Sequence, residues 1–333
     1  MFTEAIEKIL SDLCTPARVR AVERGEGAQA LWQALEEGGF LELLTPEIAD
    51  GAGLSLESLA PIFLAFGRHA LPVPAAQSIA ARALMRDCPQ APPAGMLTLS
   101  GSARRQADGE LCVPHLAYGS RADFALVNLD GELLLLDCTQ ARRESDGVHG
   151  SLCATLYWPD ETVGPALGDN GAEIRMFNAA IHAASIAGAM ERVLDMTLEY
   201  CNDRVQFGKA IGKFQAVQHQ LSVMAEHVAA ARIAAQLAFA GDHPVPELMT
   251  TAIAKARTSM AVPSVAATAH ALFGAIGITE ELDLQLFTRR LHEWRISEGA
   301  ETYWNGLVGQ ALLAQPNVRA CEFVRQLTPS PAA

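Results

Sequence analysis

The sequence predicts a mainly α-helical protein with a small β-domain in its middle. Apolar residues recur every three or four positions over long stretches at both ends, short apolar runs bounded by turn residues fill the centre, and prolines separate the two regimes. With 333 residues and 50% hydrophobic content, the chain can bury a substantial core in two or three small domains. Its 26 glycines and 17 prolines show no period, which excludes a collagen-like fibre.

Helical patterns run from Phe2 to about Arg86, broken at Gly38-Gly39, at Asp50-Gly51-Ala52-Gly53 and at Pro72–Pro74. Ser55-x-x-Ser58 leads into Leu59, Ile62, Phe63 and Phe66, whose i, i+3, i+4, i+7 spacing gives a helix with one packed face. Pro89, Pro92 and Pro93 stop helix formation, so residues 1–92 read as an N-terminal helical domain. Residues 93–168 read as a reduced β-domain. Met96–Leu99, Phe124–Asn128, Leu133–Asp137 and Leu152–Trp158 are its strands, and Asp130-Gly131 is a hairpin turn.

Residues 169–333 return to long helices. Phe214, Val217, Leu221, Met224, Val228, Ala231, Ala235 and Ala238 form one stripe, ended by Gly241. Further patterns cover Ile181–Tyr200, Met249–His270 and Leu282–Leu313, and a four-helix bundle is the economical arrangement.

A net charge of −13, from 38 acids against 25 bases, argues against a nucleic-acid surface and leaves room for a local basic patch facing an anionic small molecule. The 7 cysteines are odd in number and form no C-x-x-C pair, so reduced thiols are expected, not disulfides or a thiolate zinc site. The 9 histidines include no H-E-x-x-H, and no metal site is expected. Apolar stretches such as Ala179–Met190 are too short or too rich in Ala and Gly to span a bilayer. Met1–Leu10 carries acids where a signal peptide needs bases. A cytoplasmic protein without membrane insertion is therefore expected.

One stretch stands out chemically. Arg204-Val205-Gln206-Phe207-Gly208, followed by Ile211-Gly212-Lys213-Phe214-Gln215, joins two helices. It reads either as an ordinary connector with glycines at helix ends, or as an anion site in which a guanidinium beside flexible backbone grips phosphate oxygens.

This R-x-Q-F-G, I-G-x-F-Q string resembles the signature linking two bundle helices in the acyl-CoA dehydrogenase family. Phe273-Gly274-Ala275-Ile276-Gly277, followed by Glu298-Gly299, resembles that family's later glycine-rich turn and acidic-Gly pair. The order of helices, β-domain and bundle is similar over nearly the whole chain. The resemblance implies an N-terminal helical domain, a middle β-barrel-like domain and a C-terminal four-helix bundle. It implies FAD, held by Arg204, Phe207, Gln215, Gly274 and Ala275. It also implies dehydrogenation of an acyl-CoA at its α and β carbons, with Glu298 as α-proton base and an electron-transfer flavoprotein as acceptor. Some relatives place the base about ten residues before a Gly-x-Met pair. Here that pair is Gly188-Ala189-Met190 and the position is Asn178, whose amide cannot take a proton at neutral pH.

Departures from the family pattern fall on the flavin bed. Ala271, beside His270, stands where a glutamine is usual, and Ala300 where a threonine commonly follows the Glu-Gly pair. Around Leu97–Ser100 and Val113–Ala117 the expected T-E-P-like and W-x-x-N/S-like elements are missing. Short family members occur in two-chain enzymes, some acting on bulky steroid side-chain CoA esters. The resemblance therefore implies a homologous partner chain, as α2β2, that completes the bed. Alternatives are a non-catalytic subunit lending Arg204 to a partner's flavin, a flavin oxidase or monooxygenase on the same fold, and a purely structural helical protein. Trp294 and Trp304 read as core, and Arg289, Arg290, His292 and Arg295 as a solvated basic face.

Overall fold

A computed structural model describes residues 2–327. Five helices come first: α1 (Phe2–Leu13), α2 (Pro16–Glu23), α3 (Gln29–Glu37), α4 (Leu56–Arg68) and α5 (Ala75–Leu84). Seven strands follow: β1 (Leu97–Ser100), β2 (Arg104–Arg105), β3 (Leu111–Leu116), β4 (Phe124–Leu129), β5 (Glu132–Asp137), β6 (Arg142–Ser145) and β7 (Ala154–Trp158). Then come α6 (Ala172–Asp203), a small hairpin of β8 (Val205–Gln206) and β9 (Lys209–Ala210), and α7 (Gln215–Leu237). The described chain ends with α8 (Leu248–Phe273), α9 (Leu284–Ile296), α10 (Glu301–Leu313) and α11 (Ala320–Leu327). The fold is the mainly helical one expected, with β-sheets at its centre.

Two compact units result. Among the described residues, one gathers those through Leu59 with Leu71–Ile181 and Asp242–Pro246; the other gathers Ala60–Ala70, His182–Gly241 and those from Glu247 to Leu327.

In the first unit the strands form two sheets, ordered β1-β4-β5 and β2-β3-β7-β6. Asp130 and Gly131, both left-handed with φ 52° and 100°, close the β4–β5 hairpin. That is the turn chemistry a two-residue loop requires. Leu111 and Val113 of β3, Val127 of β4, Leu134 and Leu136 of β5, and Leu156 and Trp158 of β7 share one buried core. The two sheets therefore enclose a common core, as the small β-domain expected in the middle of the chain. Three strands lie outside the runs legible in the sequence. β2 and β6 are polar and exposed along their whole length. β3 carries Pro114 beside a register shift between Val113 and Leu116, where the missing N–H leaves no gap in the ladder.

In the second unit α7 buries Leu221, Met224, Val228, Ala231 and Ala235, five members of the expected stripe. The helix itself ends at Leu237, before Gly241. α8 packs against α7, α9 and α10 and buries residues from Thr250 to Phe273, leaving Met260, Pro263 and Ala267 exposed on one face. Contrary to the expectation of no bilayer-length segment, Leu248–Ile278 is long and apolar enough to cross a membrane by length and composition. A bundle helix packed against several neighbours acquires the same composition. The single pattern at Leu282–Leu313 is two helices, α9 and α10, separated at Ser297–Ala300.

α4 and α6 touch backbone to backbone within this unit. A Cβ on Gly188 would lie 1.9 Å from the Leu64 carbonyl oxygen, and one on Gly67 would lie 2.2 Å from that of Ser185. The glycine of the Gly188-Ala189-Met190 pair is thus a packing requirement. Arg68 pairs across the same contact with Asp195 at 2.6 Å and Glu191 at 3.6 Å.

His182 of α6 is 2% exposed. Burial first, then the charge of Lys255, pushes its imidazole down to about 3. The unfolded chain therefore binds more protons than the folded one between about pH 3 and the ordinary histidine value near 6.5. Stability is fully present above that upper value and is lost as pH falls. By pH 4 the His182 contribution to this loss is roughly 3 kcal/mol. Urea denaturation of His182→Leu at pH 7 and pH 4 is expected to show a flatter acid dependence than the parent chain. Equal slopes would contradict a neutral buried imidazole.

Candidate active site

The connector after α6 presents most of the candidate cofactor residues. The Arg204 carbonyl accepts from Ile211 N–H at 2.8 Å, closing the base of the β8–β9 hairpin. Phe207 and Gly208 make its tip, both left-handed at φ 53° and 82°. Phe207 is 91% exposed, with its ring edge-on to Phe214 at 6.2 Å. Lys209 Nζ stands 4.2 Å from the Phe214 ring centre. The side chains of Arg204 and Gln215 are exposed, Gln215 opening α7. A guanidinium, an amide and two lysines (Lys209 and Lys213) around one short loop form a donor set suited to a diphosphate.

Gly274 and Ala275 join this group through an aromatic pair. Tyr200, one turn before Arg204, stacks on Phe273 with ring centres 4.4 Å apart, and its hydroxyl donates to the Phe273 carbonyl at 3.3 Å. Gly274 then ends α8 at φ 67°, with open space where a Cβ would stand, and begins the 3-10 turn Gly274–Ile278. Positive φ and an unobstructed backbone permit close approach of a ligand. The residue before Gly274 and Ala275 is therefore held against the last turn of α6 that leads to Arg204, with Tyr200 as the link that sequence reasoning missed.

Glu298 lies elsewhere on the bundle. It does not begin a helix: α10 starts at Glu301 with Ala300 as its cap. Glu298 and Gly299 are both left-handed, at φ 55° and 107°. That conformation costs a non-glycine residue about 1–2 kcal/mol and persists only where its surroundings enforce it. Enforcement comes from the Gly299 carbonyl, which accepts from Trp304 Nε1 at 3.1 Å and from Lys255 Nζ at 3.1 Å. Lys255 is fully buried near the start of α8, and its Nζ also donates to the Arg295 carbonyl at 2.8 Å and to Ser259 Oγ at 3.0 Å. Burial pushes its ammonium down to about 7, opposed by Glu298 and Glu301 and assisted by Arg295. Lys255 and Phe273 are 18 residues apart on α8, roughly 27 Å along the helix axis. The carboxylate and the cofactor cluster thus occupy separate regions of one chain.

The expected basic face is largely an internal network. Arg290 is 8% exposed and donates to the Leu286 carbonyl at 3.0 Å, Arg289 donates to Gln285 at 2.6 Å, and Arg295 pairs with Glu301. Burial, then Arg295 and His270, holds His292 below the ordinary histidine value. Trp294 and Trp304 are core residues, as expected. His270, beside Ala271, meets Thr288 Oγ1 at 3.1 Å.

In the first unit, the strand expected to face a flavin ring is committed inward. All four residues of β1 are buried, and Thr98 Oγ1 donates to the Ala117 carbonyl at 2.6 Å. Val113 and Leu116 of β3 are core. Asn178 Nδ2 donates to the Leu99 carbonyl at 3.1 Å, so the position that holds a base in some relatives pins β1 here. The exposed connector residues fit the diphosphate end of a flavin nucleotide, whereas Thr98, Val113 and Leu116 are committed to the interior.

Residues 176–313 match the family model of the acyl-CoA dehydrogenase C-terminal domain. The chain is 32% identical over 298 residues to acyl-CoA dehydrogenase IpdE2 of Mycobacterium tuberculosis, covering 88% of this chain and 90% of that protein. Among solved structures it resembles one from the ChsE4–ChsE5 complex of Mycobacterium tuberculosis, at 20% identity and a TM-score of 0.81, over 96% of this chain and 97% of the matched one. A variant of the Tcur3481–Tcur3483 steroid ACAD also gives a TM-score of 0.81, at 22% identity over 95% and 98% of the two chains. The chain belongs to the acyl-CoA dehydrogenase family.

Proposed function

We propose that this chain is a subunit of an FAD-dependent acyl-CoA dehydrogenase that introduces an α,β-double bond into an acyl-CoA thioester. The observation that carries this reading is the Glu298–Gly299 turn, a strained, tethered backbone that holds a half-buried carboxylate between two helices. Glu298 takes the α-proton, the electron pair of that C–H bond becomes the new π bond, and the β-hydrogen departs with its own pair. Bound FAD supplies the acceptor for that hydride. Arg204 and Gln215 hold the diphosphate, Phe207 covers it, and Gly274 and Ala275 let the backbone come close. The working enzyme pairs this chain with a longer homologous one as α2β2, in the cytoplasm, and hands electrons to an electron-transfer flavoprotein. A bulky acyl group such as a steroid side chain suits the likeness to a steroid ACAD.

The test is anaerobic addition of a steroid side-chain CoA ester, with butyryl-CoA for comparison, to the complex purified from its native host. The flavin's visible band is expected to bleach with formation of the enoyl-CoA. An unbleached flavin with every ester contradicts the assignment, and peroxide in place of enoyl-CoA points to an oxidase on the same fold. A non-catalytic subunit is the second reading, favoured by the inward commitment of Thr98.

Arg204→Ala tests the clamp. A charge-assisted hydrogen bond contributes about 1.5–3 kcal/mol, so FAD affinity of the assembled complex is expected to fall by roughly one to two orders of magnitude. Lys is expected to substitute poorly, lacking the planar fork. Unchanged affinity in Arg204→Ala returns the loop to a plain connector.

A further inference from the structure

We infer that Lys255 is the positioning residue for Glu298: from inside the bundle it ties together the carbonyls on either side of that residue and so fixes the turn from which the carboxylate projects. The inference rests on Glu298 being the α-proton base. It goes beyond that reading by assigning the placement of the base to a side chain far from it in sequence.

The geometry is that of a three-point tether. Each of the three ammonium N–H groups has an acceptor: Arg295 O at 2.8 Å, Ser259 Oγ at 3.0 Å and Gly299 O at 3.1 Å. Arg295 O belongs to the last turn of α9, where carbonyls have no partner within the helix and a cation is favoured. Gly299 O lies just past Glu298, on the far side of the left-handed step. One buried group therefore spans the break between α9 and α10. Ser259, one turn along α8 from Lys255, also donates to Arg295 O at 3.2 Å, so the anchor is rooted in the central helix.

The charge of Lys255 acts on the carboxylate as well as on the backbone. The titratable groups that interact with it are Glu298, Glu301 and Arg295 around the turn, and His182 on α6, whose imidazole is neutral at working pH. Removing the ammonium removes a favourable charge for Glu298 and raises the pH at which its carboxyl titrates. A residue that merely filled space would not move that midpoint when replaced by an apolar group of equal length.

The experiment uses the full chain with 13C-labelled glutamate carboxyls, Glu298 being assigned by the signal lost in Glu298→Gln. In Lys255→Met the Glu298 midpoint is expected to rise, and deuterium uptake at the amides of residues 296–300 to quicken about ten-fold or more, with α7 unchanged. Lys255→Gln, which keeps two donors without the charge, guards against a variant that fails to fold. It is expected to give the same rise in midpoint with a smaller gain in uptake. A parent-like midpoint and parent-like uptake in either folded variant overturn the proposal. Neither readout needs flavin or substrate. If Glu298→Gln still reduces the flavin normally, the base assignment fails while the tether is judged separately.

Discussion

Glu298→Gln in the assembled complex is expected to keep its flavin, bind acyl-CoA, and lose reduction of that flavin by substrate by roughly 10²–10⁴-fold, the range that general-base catalysis supplies. Glutamine preserves the size of the side chain and most of its hydrogen bonding but cannot accept a proton, so the substitution separates basicity from packing. The left-handed backbone at Glu298 remains equally tolerable, because neither residue is β-branched and the Lys255 and Trp304 side chains hold the main-chain oxygen of Gly299, not the side chain of residue 298. Single-turnover reduction under anaerobic conditions measures the step directly. Normal reduction in the variant moves the base to the partner chain. This protein would then be the clamp-lending, non-catalytic subunit.

How far such a site can be read from sequence depends on what sets each feature. Residues whose role is local were legible. Asp130-Gly131 fixes a hairpin by its own dihedral preferences, and the α7 stripe follows from the helical period. Arg204, Phe207 and Gln215 form one connector and needed no tertiary information to be grouped. Features that depend on distant partners were not legible. The polar edge strands β2 and β6 exist because β3 and β7 offer them ladders. Lys255 is one of two cations, with Arg257, in an otherwise apolar stretch of α8, a signal that cannot show which carbonyls it meets 40 and 44 residues later. The divided helix at Ser297–Ala300 has the same origin. Its only sequence mark is Gly299, and the left-handed turn depends on Trp304 and Lys255 arriving from elsewhere. The inward commitment of Thr98 agrees with the missing T-E-P-like element, yet only the fold shows its hydroxyl occupied by Ala117.

The chain expressed alone is expected to purify with little flavin, and the complex with its homologous partner to carry flavin stoichiometrically. The exposed Arg204 and Gln215 offer donors, and Gly274 open backbone, for a diphosphate. The buried β1 strand offers a ring no free hydroxyl at Thr98. Two absent ring contacts of about 1 kcal/mol each weaken binding roughly thirty-fold. The clamp is also about 27 Å along α8 from the Lys255 tether of Glu298. A division of labour accounts for the missing ring contacts: this chain's clamp serves a flavin whose ring lies against the partner chain. Phe207, at 91% exposed, then gains a covering surface on assembly. The measurement is flavin content per chain, by absorbance after denaturation, for the single chain and for the co-expressed pair. A homomeric preparation with one FAD per chain contradicts the division. A single chain that takes up no FAD, combined with a pair that loses it on Arg204→Ala, assigns the clamp to this subunit and the ring bed to its partner.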